Sequence, residues 1–508
     1  MVTPADALWP EGADRHVTEQ PSVTLADLQL DRVLAALVEG REEHSLAPLF
    51  RGLPRDDDVV GHRQAVFADI DDDTVGSALR AFTTALARVR ALRREAATLR
   101  HRYQRQGWQH EATAAYCAAT RALLTRLEAA DLHADGLRAA RSALREVVDG
   151  EDFDRAETAA AEVAEQLDAI TYGVHIQGLR VQVTPYRGEP DYSAEVARTF
   201  EVFRDGPVAE HSHRFASSGH MNHVEARILN LVARLHPKAF AALARFCERH
   251  AEYTDGRVDD LDRHASFYLA YLDLLAPLRD AGLPMTYPEL TASAGATRLT
   301  DGYDLALATA VASPQTVVTN GFHLAEDERV MVVTGPNQGG KTTFARMIGQ
   351  VHHLAALGCP VPAAAARLLH ADAVHTHFRG EEQVATERSG LEQDLVSLQA
   401  IVSTVSPRTV VVLNEALSST TVQDALEIGD AVLDELAGTA GLTLFVTFID
   451  ELADADRRRA SYVAGVDPDD PAVRTLRLQR RPADGRSYAL TLAERHGLTY
   501  RQLSGRPR

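Results

Sequence analysis

The chain has 508 residues, 25% of them charged and 45% apolar, which fits a globular protein of roughly two to four domains and excludes disordered, collagen-like and disulfide-scaffold classes. Lys plus Arg total 53 against 72 Asp plus Glu, a formal charge of −19, so a uniformly basic nucleic-acid coat is excluded while a local basic groove is not. Only Lys238 and Lys341 are lysines, the remaining cations being arginines, and a retained lysine calls for a specific reason.

Cys117, Cys247 and Cys359 are widely separated and in no metal-ligand spacing, as for reduced thiols. The first 30 residues lack an apolar targeting core, and no run approaches ~18 apolar residues. A cytoplasmic protein without membrane contact is expected. In chain order, Leu25, Leu28, Val33, Leu34 and Leu37 recur at helical spacing, and one short helix flanked by turns is expected in 51–75. Residues 76–170 lack proline and are rich in Ala, Arg, Leu and Glu, which predicts long amphipathic helices with turns near Gly107, Gly136 and Gly150. Tyr172, Val174, Ile176, Val181 and Val183 alternate with polar residues, predicting two strands joined at Gly178. Helical periodicity resumes from Asn222 to Leu278. Pro284 and Pro288 then open an expected linker to about Leu299. Beyond it, Val317–Thr319, Val330–Thr334, Thr409–Leu413 and Leu442–Thr447 are β-branched runs between helical stretches, the pattern of a buried, largely parallel sheet. The expected fold is α plus α/β: a tail over 1–24, a helical region over 25–299 with a β insert near 172–186, and a phosphate-loop domain over 300–508.

Gly335-Pro336-Asn337-Gln338-Gly339-Gly340-Lys341-Thr342 is a complete G-x-x-x-x-G-K-[ST] motif, placed after a predicted strand and before a helix. Its glycines let successive N–H groups face one phosphate chain, Lys341 neutralises the β/γ-phosphates, and the Thr342 hydroxyl is a magnesium ligand. Here a compact ammonium cannot be exchanged for a planar guanidinium, which accounts for one retained lysine. A second strand ends in Asn414-Glu415, where nucleotide hydrolases carry acids that hold the metal's water shell and polarise the attacking water. Glu415 is the candidate catalytic residue, and Asn414, an amide in the first acid's place, is a weaker metal ligand.

The eleven residues Val333 to Thr343 resemble the TGPNMGGKST loop of the MutS mismatch-repair family. Gly358-Cys359-Pro360-Val361-Pro362-Ala363 resembles its G-x-x-VPA, Leu442 to Phe448 its LTLFATH, and Arg486-Ser487-Tyr488-Ala489-Leu490 with Gly497-Leu498 its closing segment. The likeness is firm over about 321–498 and thinner over 25–300. It implies an ABC-type ATPase using ATP and Mg²⁺ at Gly335–Thr343, with Ser389 serving the partner's phosphates in an ATP-dependent homodimer. It also implies a helical core and lever region that clamps duplex or branched DNA. Asn414 replaces the family's Asp and Phe448 its His, which implies slow hydrolysis. The family's mismatch-reading and connector domains have no counterpart, so direct mismatch reading is not expected.

Arg88, Arg90, Arg93, Arg94, Arg100, Arg102 and Arg105, opposed only by Glu95, form the one basic stretch suited to phosphate. Of these, Arg90, Arg93, Arg94 and Arg100 are the candidate DNA contacts. Arg457–Arg459 with Arg477, Arg480, Arg481 and Arg486 reads as ATPase surface. His211, His213, His220 and His223 have the only metal-like spacing, but loop histidines without acidic or Cys partners read as surface. A different class remains open: a nucleotide-gated module acting on a protein or ribonucleoprotein. A transport-type ABC subunit is disfavoured because no LSGGQ-like signature appears.

Overall fold

The computed structural model describes residues 6–178, 180–188, 221–379, 390–439, 441–454, 459–467, 470, 473–483 and 498. The chain forms two compact units. One comprises Met1–Asp73, Leu132–Ala139 and Arg263–Arg508, the other Thr74–Asp131 and Ala140–Asp262.

The first unit is built on a six-stranded sheet in the order Ala373–Phe378, Thr409–Asn414, Leu442–Val446, Val330–Thr334, Arg459–Val466, Arg474–Arg480. Its pairs are parallel except the last, which is antiparallel. The three central strands are buried at every position, which is why they read as continuous apolar runs rather than alternating ones. Val330, Val411, Leu413 and Phe445 pack with Leu433, Leu436 and Leu452 from the flanking helices. The helix Lys341–Ala356 is buried over nearly its whole length. At its end the fully buried Arg63 donates to Leu8 O at 3.2 Å and Leu357 O at 3.3 Å, placing a cation at the helix C-terminus.

Residues 284–299, expected as a linker, instead supply strands to a second sheet, ordered Glu289–Thr291, Ala365–Leu369, Arg298–Gly302, Asn320–His323. The β-branched run at 317–319 precedes a strand rather than forming it, because pairing with Arg298–Gly302 starts at Asn320. The N-terminal helices Ser22–Asp27 and Leu30–Val38 belong to this unit too. Gln350 Nε2 donates to Leu28 O at 2.8 Å, and Val374 N to Gln20 Oε1 at 2.9 Å. In 51–75 the helix is longer than a short one, Asp57–Ile70, with Asp56 capping it by accepting from Asp58 N.

The second unit is helical. Arg102–Ala129, Glu151–Asp168, His223–Leu235 and Pro237–His250 pack around Ala160, Val163, Val232, Phe240, Leu243 and Phe246. Tyr172–Gln177 and Arg180–Pro185 pair as the expected hairpin, with Gly178 in the left-handed region at φ 59°. The turn expected near Gly107 lies instead at 99–101, and Gly107 sits inside Arg102–Ala129. The turn expected near Gly136 is at 130–134, and Gly136 itself lies in the first turn of the helix Asp135–Val148, where packing requires glycine: a Cβ there would meet His62 Nε2 at 2.7 Å. The structure is thus mainly helical at first, with a small β element, then mixed α/β.

Candidate nucleotide site

The strand Val330–Thr334 delivers the chain into the phosphate loop, and Lys341 begins the next helix. Gly335 at φ 111° and Gly340 at φ 87° take backbone conformations that favour glycine, and a Cβ on Gly335 would come within 2.9 Å of Ala464 N. Gln338, between them, is also left-handed at φ 61°. The loop curls around the Lys341 side chain, whose Nζ donates to Gly335 O at 2.9 Å and Pro336 O at 3.1 Å. Burial lowers the Lys341 pKa, the Glu415 carboxylate opposes that shift, and Arg474 adds to it.

A cavity of about 270 Å³ is lined by residues 337–343 with Glu415 and Leu476. The structure therefore brings Asn337, Gln338, Gly339, Gly340, Lys341, Thr342, Thr343 and Glu415 to one place. Gly335 and Pro336 shape the loop behind it. Asn414, the last residue of its strand, is buried, and Thr342 Oγ1 donates to its Oδ1 at 3.3 Å. These two oxygens are the pair available to a divalent cation bound with a phosphate chain. The residues fit such a group: two glycines lining the cavity, an ammonium held by two carbonyls, and a hydroxyl beside an amide oxygen.

Glu415 is the first residue beyond the strand, at φ 58°, with its N–H donating to Val446 O at 2.9 Å. Leu417 is left-handed too, at φ 62°. Each such non-glycine residue costs on the order of 1–3 kcal/mol and persists only where its surroundings hold it. Here Ala416 and Leu417 are buried in the sheet core. Arg379 N donates to Asn414 O at 3.1 Å, and its guanidinium to Ser418 Oγ at 2.6 Å. Phe448, where the resembled family has His, is half exposed at 51%.

Sequence reasoning missed the residues that frame the site. Leu476, at φ 58°, lines the cavity, and Asn320 fixes its segment by donating to Leu476 O at 3.1 Å and accepting from Leu478 N at 2.8 Å. Arg474 Nε donates to Asn337 O at 3.3 Å. No local pattern marks them, since they meet the loop only through the sheet order. Ser389 and His211, His213 and His220 lie outside the described residues, as do Arg457, Arg458 and Arg486. Among the described residues no group of three or more potential metal ligands occurs, and no helix is long and apolar enough to cross a membrane.

The basic stretch at 88–105 is opposed by more than Glu95. Arg88 pairs with Glu111 at 2.7 Å, Arg90 with the buried Asp262, and Arg93 donates to Tyr253 O at 2.8 Å while facing the Tyr116 ring. Arg90 and Arg93 thus help hold the helical unit together, whereas Arg94 and Arg100 are exposed. Lys238 is exposed in the first turn of its helix, and nothing in the structure explains it.

Residues 331–500 match the family model for MutS domain V. The chain is 39% identical over 142 residues to the DNA mismatch repair protein MutS 2 of Halobacterium salinarum, covering 28% of this chain and 16% of that protein. It is 29% identical over 191 residues to the DNA mismatch repair protein MutS of Roseiflexus sp., covering 36% and 18%. A further match, 27% over 235 residues, is to the DNA mismatch repair protein MutS of Chlorobium chlorochromatii, covering 45% and 27%. The matched stretches thus span no more than 27% of the length of these curated relatives. The chain carries a MutS-family, ATPase-associated domain over 331–500 and is distantly related to MutS proteins over part of its length.

Proposed function

We propose that the first unit binds ATP with Mg²⁺ and hydrolyses it slowly, and that this controls the hold of the helical unit on duplex or branched DNA in an ATP-dependent homodimer. The observation that carries the nucleotide reading is the convergence of the Lys341 loop, Thr342 and Glu415 on one cavity, with the buried Asn414 hydrogen-bonded to Thr342. Lys341 and the loop N–H groups bind and orient the phosphates. Thr342 and Asn414 are the residues that would hold a magnesium ion, which supplies charge neutralisation at the β- and γ-phosphates. Glu415 orients the attacking water and accepts its proton. Asn414 contributes no charge at the cation, which supports slow turnover. Ser389 is proposed, from the family resemblance, to complete the partner's phosphate site.

The DNA part rests on the relatives' printed names and on Arg94 and Arg100. Mismatch reading by this chain is not proposed. The internal engagement of Arg90 and Arg93 favours a second reading, a nucleotide-gated module acting on a protein or ribonucleoprotein. A binding panel of homoduplex, mismatch, junction and single-stranded DNA, with and without ATP at two salt concentrations, separates the two. Salt-sensitive binding to duplex or junction that responds to ATP supports the first. Equal failure on every DNA favours the second.

A further inference from the structure

Asp394 lies on the helix Gly390–Thr404 and is buried, and both its oxygens are engaged. Oδ1 is 2.7 Å from His377 Nε2, near the end of the strand Ala373–Phe378. Oδ2 accepts from the backbone N–H of Leu417 at 3.0 Å. A carboxylate at that distance from the ring nitrogen requires the proton on Nε2, so Asp394 is an acceptor toward two donors at once. One of them belongs to the left-handed Leu417, two residues beyond the left-handed Glu415.

Glu415 N to Val446 O and Arg379 to Asn414 O and Ser418 Oγ fasten this loop to the ends of neighbouring strands, and Thr342 Oγ1 to Asn414 Oδ1 fastens it to the helix Lys341–Ala356. Asp394 ties the loop to the helix that starts immediately after residue 389. We propose that Asp394 is a positioning residue: its bond to Leu417 N–H holds the 414–418 loop in the conformation that presents the Glu415 carboxylate to the phosphate loop, and its bond to His377 holds Asp394. Movement of the first turns of the Gly390–Thr404 helix is thereby passed to Glu415. This rests on the hydrolytic role proposed for Glu415.

Asp394→Ala decides it, because the variant removes both acceptor oxygens, so that neither the Leu417 N–H nor the His377 ring N–H finds its carboxylate. In the nucleotide-free full chain, amide hydrogen exchange over 414–418 becomes at least tenfold faster, with exchange in 409–413 unchanged. With ATP, kcat falls at least tenfold while KM and nucleotide Kd stay within twofold. His377→Gln, whose amide can donate to Asp394, retains more turnover than His377→Ala. Unchanged exchange overturns the proposal. So does faster exchange with wild-type kcat, and so does an equal loss of kcat and nucleotide affinity, which marks general damage to the site. Wild-type protein that binds no nucleotide overturns the nucleotide reading instead, and the exchange measurement, which needs no nucleotide, tells the two apart.

Discussion

Thr342 Oγ1 and Asn414 Oδ1 are joined by a 3.3 Å hydrogen bond, so the helix of the phosphate loop and the end of a buried strand share a neutral contact where a carboxylate would bring charge. Asn414→Asp restores that charge. It is expected to raise the ATP turnover number about tenfold, equivalent to about 1.4 kcal/mol of barrier, and to lower the Mg²⁺ concentration giving half-maximal rate. Steady-state kinetics across a magnesium series measures both. No gain, or a loss, means that the cation is held by other groups.

Lys341 is the one buried ammonium in the loop, surrounded by carbonyl oxygens and drawn toward deprotonation by desolvation. Lys341→Ala should weaken nucleotide binding about 100-fold, about 2.7 kcal/mol, measured by titration with a fluorescent ATP analogue. Lys341→Arg should bind no better than Lys341→Ala, because a planar guanidinium does not fit the carbonyl ring. Wild-type affinity in either variant would exclude the loop as the phosphate site.

Arg90 and Arg100 occupy one basic stretch but have opposite surroundings. Arg90 pairs with Asp262, which is 2% exposed, whereas Arg100 faces solvent. Arg90→Ala removes this ion pair to a buried carboxylate and should destabilise the fold by about 3 kcal/mol. The double reversal Arg94→Glu with Arg100→Glu should leave unfolding within about 0.5 kcal/mol. Its effect should be on DNA affinity, lowered roughly tenfold at low salt and with a shallower salt slope. Urea denaturation and DNA titration on the same preparations check both halves. Unaltered DNA binding in the double variant removes this arm from the interface.

His352 and His353 are buried in the helix Lys341–Ala356, with pKa values pushed down by desolvation to about 4. His352 Nδ1 lies 2.8 Å from Ile348 O and His353 Nε2 2.8 Å from Phe50 O, and each remaining ring nitrogen is buried without a partner among the described residues. Between pH 6.5 and 4 the unfolded chain therefore binds more protons than the folded one at these positions. Stability is full above about pH 6.5 and falls as pH drops toward 4, by roughly 3 kcal/mol for each histidine. Urea midpoints measured across that window test the slope. His353→Gln, which can still donate to Phe50 O, should make it shallower, and an unchanged slope would assign the acid sensitivity elsewhere.

Local chemistry decided part of this molecule. The phosphate loop needs glycines at fixed offsets and a lysine at the start of the following helix, and buried parallel strands need unbroken β-branched runs. Gly335–Thr343, Asn414–Glu415 and the central strands were therefore legible from residues alone, as was the hairpin joined at Gly178. The arginine run was legible only as charge, because the partners of Arg88, Arg90 and Arg93 lie up to 172 residues away.

What only the tertiary structure decided is who meets whom across long separations. Residues 6–73 join the first unit because Leu28, Gln20 and Arg63 find hydrogen-bond partners there. The Pro284–Leu299 segment becomes sheet because Ala365–Leu369 offers unpaired edges. Asp394 reads as one more polar residue on a helix until the fold sets its two oxygens between His377 and Leu417. Composition and motif determined which chemistry the chain carries. Sheet order and burial determined which carboxylates hold that chemistry in place and which cations are spent on packing.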